Sequence, residues 1–264
     1  MATTKKAAKK PARSASRAAK KVVGSDEDVS ADLQLQLALA ALRKASTKKD
    51  LDNMQRFGIA TADKVLGVSV SNVQKVAKPL GRSHELAEAL WKTGIYEARM
   101  MTAFVDEPER VTPAQMDRWA KDFDNWAVVD TLCFHLFDKT EHAWAKVKAW
   151  SDAKPEFVKR ASYALIAGLA LHDKKAPDKP FLEALKFIEG AASDDRNFVK
   201  KGVSWALRVV GRRNAALNVA AVKVSERLAE SNDPTERWIG KGALKELTAA
   251  VVKRKLAAQA SRKT

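Results

Sequence analysis

The chain has 264 residues, among them 48 Lys or Arg, 32 Asp or Glu and a single Cys, and its formal net charge is +16. This length suffices for a sizeable core, and a hydrophobic share of 46% excludes a chain that is disordered throughout. One cysteine excludes a disulfide scaffold and a cysteine-rich zinc site. No apolar run is long enough for a membrane span, so a transmembrane protein is excluded.

The positive charge is concentrated at the two ends of the sequence. Residues 1–24 carry eight basic side chains and residues 251–264 carry five, and neither stretch contains an acid. We therefore expect a disordered basic N-terminal tail over 1–28, a folded domain over 29–252 and a basic C-terminal tail over 253–264. Flexible polycations suit a polyanion such as nucleic acid, although a tail that only improves solubility would have the same composition.

From Asp32 onward, apolar residues recur every three or four positions, which predicts an all-α fold. The short alternation from Leu33 to Leu37 continues into strong helix formers, so we assign it to a helix as well. Glycines and prolines divide the rest into pieces of about 10–18 residues, an ordinary helix length. These breaks fall near Gly58, Gly67, Gly81, Gly94, Pro108, Pro113, Pro155, Pro177, Pro180, Gly190 and Pro234.

A short pattern recurs in the later helices. Phe157-Val-Lys-Arg-Ala161 returns as Phe198-Val-Lys-Lys-Gly202, and Trp238-Ile-Gly-Lys-Gly242 follows at a similar distance, with weaker copies near Tyr96 and Trp126. A period of about 40 residues with two helices per unit is typical of HEAT or armadillo-like repeats. The sequence therefore predicts an α-solenoid, curved so that one helix of each repeat lines a concave surface.

A helical wheel of the segment from Val199 to Arg212 separates two faces. The predicted core face consists of Val199, Val203, Ala206, Leu207 and Val210. The opposite face carries Lys201, Trp205, Arg208 and Arg212. A large aromatic ring on the solvent-facing side of a helix is normally either covered by neighbouring side chains or used to contact a ligand. Trp205 is therefore a candidate ligand contact, and the alternative is that it packs under neighbouring side chains.

In the helix predicted from Trp126, Asp130 lies one turn further along the same face. We expect Cys133 and Phe137 to continue this row, with Cys133 as a small buried residue. A carboxylate next to an indole outside the core is a candidate catalytic pair. The alternative is that Asp130 forms an ion pair with a neighbouring lysine.

In the following helix, Arg160 heads a row that continues with Ala164 and Ala167, while Val158, Leu165, Ile166 and Leu169 are expected on the core side. Small neighbours would let a phosphodiester backbone approach Arg160, and the alternative is a surface arginine without a role. Three successive helices would then place cations, tryptophans and one acid in the same groove. An acid in a DNA-binding groove opposes affinity, which favours a chemical role for it.

These segments, in this order and spacing, resemble the AlkD-like family of DNA alkylation repair glycosylases, which are HEAT-like α-solenoids. The likeness extends from about Met54 to Leu247. It is strongest in Asn125–Leu132, Phe157–Arg160 and Lys200–Arg208.

The resemblance implies roles for Trp126, Asp130, Arg160 and Trp205. In that family the aspartate lies beside the deoxyribose of the damaged nucleotide, the two tryptophans cradle the backbone there, and the arginine holds a phosphate. Ala127 departs from the family pattern, because relatives often carry an acid after the first tryptophan. The relatives are thought to act without flipping the base.

One carboxylate fits the removal of a cationic base. Ordinary glycoside hydrolysis uses two carboxyl groups, one of which protonates the leaving group. A purine alkylated on a ring nitrogen is already cationic and leaves without protonation, so Asp130 would stabilise the oxocarbenium-like sugar and place the water. We therefore expect a monofunctional alkylpurine DNA glycosylase of base excision repair, acting on 7-methylguanine or 3-methyladenine in duplex DNA.

Two other functions remain open at this point. One is a non-catalytic HEAT-repeat protein that binds distorted or branched DNA, and the other is a protein-binding scaffold tethered to DNA by its tails.

The expected partner is double-stranded DNA, bound by a monomer without contact to a membrane. We expect no cofactor and no metal, because His84, His135, His142 and His172 lack metal-ligand spacing and glycine-rich phosphate loops are absent. A bacterial protein would lie in the cytoplasm with the nucleoid, and a eukaryotic one in the nucleus or an organelle, since no secretory signal is present.

Overall fold

A computed structural model describes residues 31–261 of the chain. In this part, 14 α-helices follow one another without a β-strand, and none of them is both long and apolar enough to cross a lipid bilayer. They are α1 (Ala31–Ala45), α2 (Lys48–Arg56), α3 (Val70–Ala77), α4 (His84–Lys92), α5 (Tyr96–Val105), α6 (Pro113–Ala120), α7 (Trp126–His135), α8 (Ala143–Trp150), α9 (Glu156–His172), α10 (Lys179–Gly190), α11 (Asn197–Gly211), α12 (Ala215–Glu230), α13 (Pro234–Leu247) and α14 (Ala250–Ala260). Two short 3₁₀ helices cover Lys78–Leu80 and Phe137–Lys139. The predicted N-terminal tail over 1–28 lies outside the described residues.

The helices are arranged in pairs. Helices α3, α5, α7, α9, α11 and α13 pack each against the next and form one continuous layer, which we call the odd-helix layer. The intervening helices α4, α8, α10 and α12 each pack against members of this layer. Stacked helix pairs of this kind confirm the predicted all-α, HEAT-like solenoid.

The predicted helix ends are confirmed at glycines and prolines. The φ angles of four glycines are positive, a region of backbone conformation that residues with a Cβ rarely adopt. These angles are 63° at Gly58, 84° at Gly67, 73° at Gly81 and 60° at Gly94. Gly67 is the most constrained of them, because a Cβ there would lie 2.9 Å from the carbonyl oxygen of Thr47.

The recurring pattern marks the start of odd-numbered helices. Phe157 and Phe198 are the second residues of α9 and α11, and Trp238 is the fifth residue of α13. Tyr96 and Trp126 are the first residues of α5 and α7. The rings of Phe157 and Phe198 are in contact, with their centroids 5.1 Å apart. The repeat read from the sequence therefore corresponds to contacts between neighbouring repeats.

The predicted core face of α11 is confirmed in full. It consists of Val199, Val203, Ala206, Leu207 and Val210, all of which are completely buried. On α9, Leu165, Ile166 and Leu169 are buried as expected, whereas Val158 in the first turn is only partly buried.

Two predictions about helix faces were wrong. Ala164 and Ala167 are fully buried, so these small residues let α9 pack tightly between α7 and α11 and do not face a ligand. Phe137 does not continue the row of Trp126 and Asp130, because α7 ends at His135 and the chain turns into a 3₁₀ helix.

Cys133 is fully buried, which confirms its interpretation as a small buried residue. Burial raises the pKa of its thiol well above the usual value. Cys133 is therefore not an activated nucleophile.

The C-terminal part of the domain continues beyond the predicted boundary. Residue 253, the expected start of the basic tail, lies within α14. Val252 and Leu256 of this helix are buried, and α14 packs against α12 and α13. The basic side chains up to residue 255 are therefore carried by a packed helix.

Candidate functional site

The start of α7 is fixed by a short network of polar groups. The side-chain oxygen of Asn125 accepts a hydrogen bond from the N–H of Val128 at 3.0 Å, which caps the helix. The amide nitrogen of Asn125 donates to Asp124 at 2.8 Å, and Asp124 in turn accepts from the hydroxyl of Thr61 and the N–H of Ala62, at 2.9 and 2.7 Å. The segment that follows α2 is thereby held against the first turn of α7.

Trp126 stands at this junction between α7 and α2. Its indole N–H donates to the backbone carbonyl of Phe57 at 3.3 Å, and its side chain is partly buried. The ring of Phe57 is 56% exposed. Phe57, which directly follows α2, and Trp126 of α7 therefore both border one cavity.

A cavity of about 280 Å³ lies beside Trp126 and Asp130. Most of its lining is apolar and comes from α2, α5, α7 and the segments next to them. These apolar residues are Met54, Phe57, Ile59, Val68, Val70, Tyr96, Met100, Trp126 and Ala127. The carboxylates of Asp130 and Asp50 both border the cavity, so Asp130 lies in a largely apolar environment.

One wall of this cavity is positioned by a buried carboxylate. Glu97 of α5 is completely buried and accepts hydrogen bonds from the N–H groups of Leu66, Gly67 and Val68, at 2.9, 2.7 and 3.1 Å. Three backbone donors satisfy the buried charge and fix the segment that leads into α3.

Asp130 is held by Arg160 through two parallel hydrogen bonds. Arg160 Nε donates to Asp130 Oδ1 at 3.0 Å and Nη2 donates to Oδ2 at 2.8 Å, while Nη1 donates to the carbonyl of Phe198 at 2.8 Å. The two side chains are 20% and 8% exposed. One arginine of α9 therefore links α7 with the first turn of α11.

The electrostatic environment of Asp130 combines two opposing effects. Burial raises the pKa of its carboxyl group above the usual value, and the charge and hydrogen bonds of Arg160 act in the opposite direction. The alternative that Asp130 forms an ion pair is confirmed, but the partner is Arg160 and not a lysine. The expected alternative of a surface arginine was wrong, because Arg160 is buried.

Trp205 reaches the same face of α7 one turn further along. Its ring stacks on Phe134, with centroids 4.9 Å apart and planes 8° from parallel, and Phe134 follows Asp130 by one helical turn. Trp126, Asp130 and Trp205 therefore lie along one side of α7.

The other predicted cations of α11 differ in their surroundings. Lys201 is exposed. Arg208 and Arg212 instead form ion pairs with the two oxygens of Glu246 on α13, at 3.0 and 2.8 Å. Their charge is therefore partly compensated within the protein.

Phe134 and Glu246 belong to the site but were missed in the sequence. Phe134 could have been found, because it follows Asp130 by the same four-residue step that separates Asp130 from Trp126. Glu246 has no local signal, because it lies 38 residues after Arg208.

Within residues 31–261, no group of three or more His, Cys, Asp or Glu side chains is arranged to hold a metal ion. Three of the four histidines lie near single carboxylates: His84 is 2.8 Å from Asp106, His172 is 2.5 Å from Asp138, and His142 is 3.9 Å from Glu141.

One similar solved structure agrees with this architecture. A solved structure described as a new family of proteins related to the HEAT-like repeat DNA glycosylases with affinity for branched DNA structures is similar, with a TM-score of 0.66 and 17% identity. The match covers 78% of this chain and 92% of that one. A designed armadillo repeat protein matches with a TM-score of 0.37 at 16% identity, covering 88% of this chain and 99% of that one. No curated protein sequence matches this chain significantly.

A family model described as DNA alkylation repair enzyme matches residues 38–247, which include α7, α9 and α11. This range contains the whole region of resemblance read from the sequence, from Met54 to Leu247, and the chain therefore belongs to the DNA alkylation repair enzyme family.

Proposed function

We propose that the protein is a monofunctional DNA glycosylase that hydrolyses the N-glycosidic bond of cationic alkylated purines, such as 7-methylguanine and 3-methyladenine, in duplex DNA. The observation that carries this proposal is the carboxylate of Asp130. It is oriented by two hydrogen bonds from Arg160 and borders an apolar cavity next to the ring of Trp126.

The chemistry requires one anion near the sugar. An N-alkylated purine carries a positive charge, so when the glycosidic bond breaks, the base takes the electron pair and leaves as a neutral molecule. The remaining sugar has oxocarbenium character, and water adds to it and loses a proton. Asp130 stabilises the positive charge and orients the water, which in a site of lowered dielectric contributes a few kcal/mol, about a hundredfold or more in rate.

Arg160 acts as a positioning residue for Asp130 and also has capacity for a phosphate. A guanidinium group has five N–H donors. Three of them are used on Asp130 and on the carbonyl of Phe198. The remaining two can donate to a DNA phosphate, so orientation of the carboxylate and contact with the backbone are compatible.

The neighbouring side chains provide the contacts to the DNA backbone. Trp126 and Trp205 offer ring surfaces on both sides of Asp130 along α7. Lys201 offers an exposed cation, and Arg208 and Arg212 bind phosphates in competition with Glu246. In a concave HEAT-like groove, these groups would surround one segment of duplex.

The proposal includes a monomer acting on double-stranded DNA in base excision repair, without a metal or cofactor. The folded repair domain is proposed over 29–252 and continues into α14, and the basic ends add sequence-independent attraction to DNA. A bacterial protein would act at the nucleoid, and a eukaryotic one in the nucleus or an organelle.

The proposal is tested by excision of 7-methylguanine from a duplex by Asp130→Asn under single-turnover conditions. We expect the rate to fall about a hundredfold or more while the affinity for undamaged duplex stays equal or rises, because a negative charge leaves the groove. Asp195→Asn, the same chemical change at an exposed position, is the matched control. Wild-type excision by Asp130→Asn would remove this residue from the mechanism.

A non-catalytic protein that binds distorted or branched DNA is the second candidate. It is favoured by the similarity to a protein family with affinity for branched DNA structures. This function predicts tighter binding to a four-way junction than to a linear duplex, with strong salt dependence and no release of methylated base. Release of 7-methylguanine at a rate that depends on Asp130 would exclude it.

A further inference from the structure

A second groove, of about 620 Å³, lies at the opposite ends of the helices that line the cavity beside Asp130. The cavity is bordered by the first residues of α3, α5 and α7, whereas this groove is bordered by later residues of α3, by the end of α5 and by the residues after Phe134 of α7. Four exposed cations line it, and we call it the cationic groove: Lys75, Lys78, Arg82 and Lys139.

The cations of this groove have no carboxylate partner. None of the four takes part in an ion pair in the described part of the chain. Three of them donate to neutral oxygens instead: Lys75 to the side-chain amide of Asn72, Lys139 to the carbonyl of His135, and Arg82 to the carbonyl of Asp106. Their charge is therefore available to an external anion.

Two of these cations also repel each other. The pKa of Lys139 is lowered, mainly by partial burial, and Arg82 contributes to the decrease while Asp138 opposes it. Glu107 and Glu109 line a neighbouring cavity together with Arg82 and Lys139, although neither glutamate forms an ion pair with these two cations. An anion bound between Arg82 and Lys139 would relieve the repulsion that the fold leaves in place.

The remaining lining of the groove also suits a backbone phosphate. Ser71 and Gln74 of α3 add neutral hydrogen-bond donors next to the lysines. The base of the groove includes the rings of Phe104 and His135, which contact each other with centroids 4.8 Å apart. Such a lining offers donors along one side and two aromatic ring surfaces, tilted by 44° to each other, for contact with a sugar.

The position of the cationic groove relative to Asp130 gives an expected distance along the DNA, counted in nucleotides. His135 follows Asp130 by five residues of the same helix, which corresponds to about 8 Å at 1.5 Å per residue. For a duplex whose axis runs parallel to α7, the axial rise of about 3.4 Å per nucleotide makes this distance about two nucleotides.

We propose that the cationic groove holds the phosphodiester backbone of DNA about two nucleotides away from the nucleotide that faces Asp130. Only the distance of two nucleotides rests on the proposed function, because it assumes that the damaged nucleotide faces Asp130. The binding of undamaged DNA in the groove is independent of any catalysis.

The test compares two double variants with the same change in net charge. Lys75→Gln/Lys78→Gln alters the groove, and Lys186→Gln/Lys223→Gln alters exposed lysines of α10 and α12. With undamaged duplex, the groove variant is expected to bind about tenfold more weakly and to reduce the slope of log K against log salt by about two. The control is expected to keep the wild-type slope, and circular dichroism checks that both variants fold.

A second arm tests the expected distance with a neutral methylphosphonate placed two nucleotides from a 7-methylguanine. This substitution is expected to weaken binding by the wild-type protein and to have little effect on the groove variant, because the interaction is already lost. Equal weakening in both proteins would overturn the expected distance.

If both double variants lose affinity equally and reduce the slope of log K against log salt equally, the effect comes from net charge. This result would contradict DNA binding in the cationic groove. Pyrophosphate at constant ionic strength is not expected to displace DNA, and effective displacement would identify a small-anion site instead of a backbone site. Absence of excision in every protein would contradict the proposed function and leave the binding result unaffected.

Discussion

Arg160 donates two hydrogen bonds to the carboxylate of Asp130, from Nε at 3.0 Å and from Nη2 at 2.8 Å, across the contact between α7 and α9. The resemblance to known glycosylases implied separate roles for these residues, one at the sugar and one at a phosphate. The geometry joins them, because the orientation of the carboxylate depends on the arginine. Mutations of Arg160 are therefore expected to affect the chemical step as well as binding.

Arg160→Lys is expected to slow excision of 7-methylguanine about 10- to 100-fold at saturating enzyme, because misplacement of a catalytic group by about 1 Å has effects of this size. One ammonium group cannot make the parallel pair of hydrogen bonds and also reach the carbonyl of Phe198. Single-turnover rates measure the effect. Arg118→Lys, at an exposed pair with Glu88, is the control, and an unchanged rate for Arg160→Lys would contradict the positioning role.

The rate of excision should depend on pH through Asp130. Its carboxylate is the active form and burial raises its pKa, so activity is lost as the pH falls and the loss begins at a higher pH than for an exposed aspartate. Single-turnover rates between about pH 4 and 8 would show one acidic step, after correction for spontaneous depurination. The pH profile of the residual activity of Asp130→Asn should lack this acidic step. If the step persists in this variant, it belongs to the titration of another group.

Glu246→Gln is expected to increase the affinity for duplex DNA. Glu246 binds both Arg208 and Arg212, so its neutralisation frees two cations on the face that carries Trp205. We expect a several-fold lower Kd and a salt slope that is steeper by about one. Glu226→Gln, an exposed acid on α12, controls for net charge. An equal increase in both variants would show that the two arginines do not contact DNA.

Acid stability should depend on Asp194. Its pKa is lowered to about 2, first by the hydrogen bonds from Arg196 and then by Lys159, whose charged nitrogens lie 2.6 and 3.1 Å away. A lowered pKa stabilises the folded state above the ordinary aspartate pKa, and this contribution is lost as the pH falls towards 2.

Asp194→Asn should therefore lower the free energy of unfolding by on the order of 1 kcal/mol at pH 7, after allowance for solvent screening. The difference from wild type should shrink in acid. Urea unfolding at about pH 7 and pH 3 measures both values. Asp195→Asn should change neither, and a constant difference at the two pH values would contradict the ion pair.

Two glycines of α13 should respond in opposite ways to alanine. A Cβ at Gly240 would lie 2.6 Å from the carbonyl carbon of Leu228 and 2.7 Å from the carbonyl oxygen of Ser225, whereas nothing lies within 4 Å of a Cβ at Gly242. Gly240→Ala is expected to destabilise the protein by about 1–3 kcal/mol, because α12 must move away. Gly242→Ala should be neutral or stabilise by up to about 1 kcal/mol.

Thermal unfolding of the two variants separates these effects, since about 1 kcal/mol shifts the Tm by about 2–4 °C in a domain of this size. Similar shifts for both variants would contradict the close contact of α12 and α13 at Gly240.

The helices of this protein are determined by the sequence itself, because helix formation depends on short-range features. The period of the apolar residues, the glycines with positive φ and the prolines at helix starts are all local, and they placed α5, α7, α9, α11 and α13 correctly. The apolar face of α11 followed from the same periodicity, since Val199 to Val210 span about three turns of one uninterrupted helix.

Faces at helix ends could not be predicted in this way. The row from Trp126 was extended to Phe137 because the end of α7 at His135 was not apparent, and the row continues with Phe134 instead. A helical wheel predicts which residues share a face only within one continuous helix.

Long-range pairing was decided by the tertiary structure alone. The partner of Asp130 lies 30 residues away, and Glu246 lies 38 residues from Arg208, so neither pair leaves a local signal. Such contacts depend on how repeats stack, and stacking is set by the summed packing of many buried side chains. The sequence alone was enough to nominate Asp130, Arg160, Trp126 and Trp205 as candidates. The contacts between repeats determined which of them touch and which cations remain unpaired.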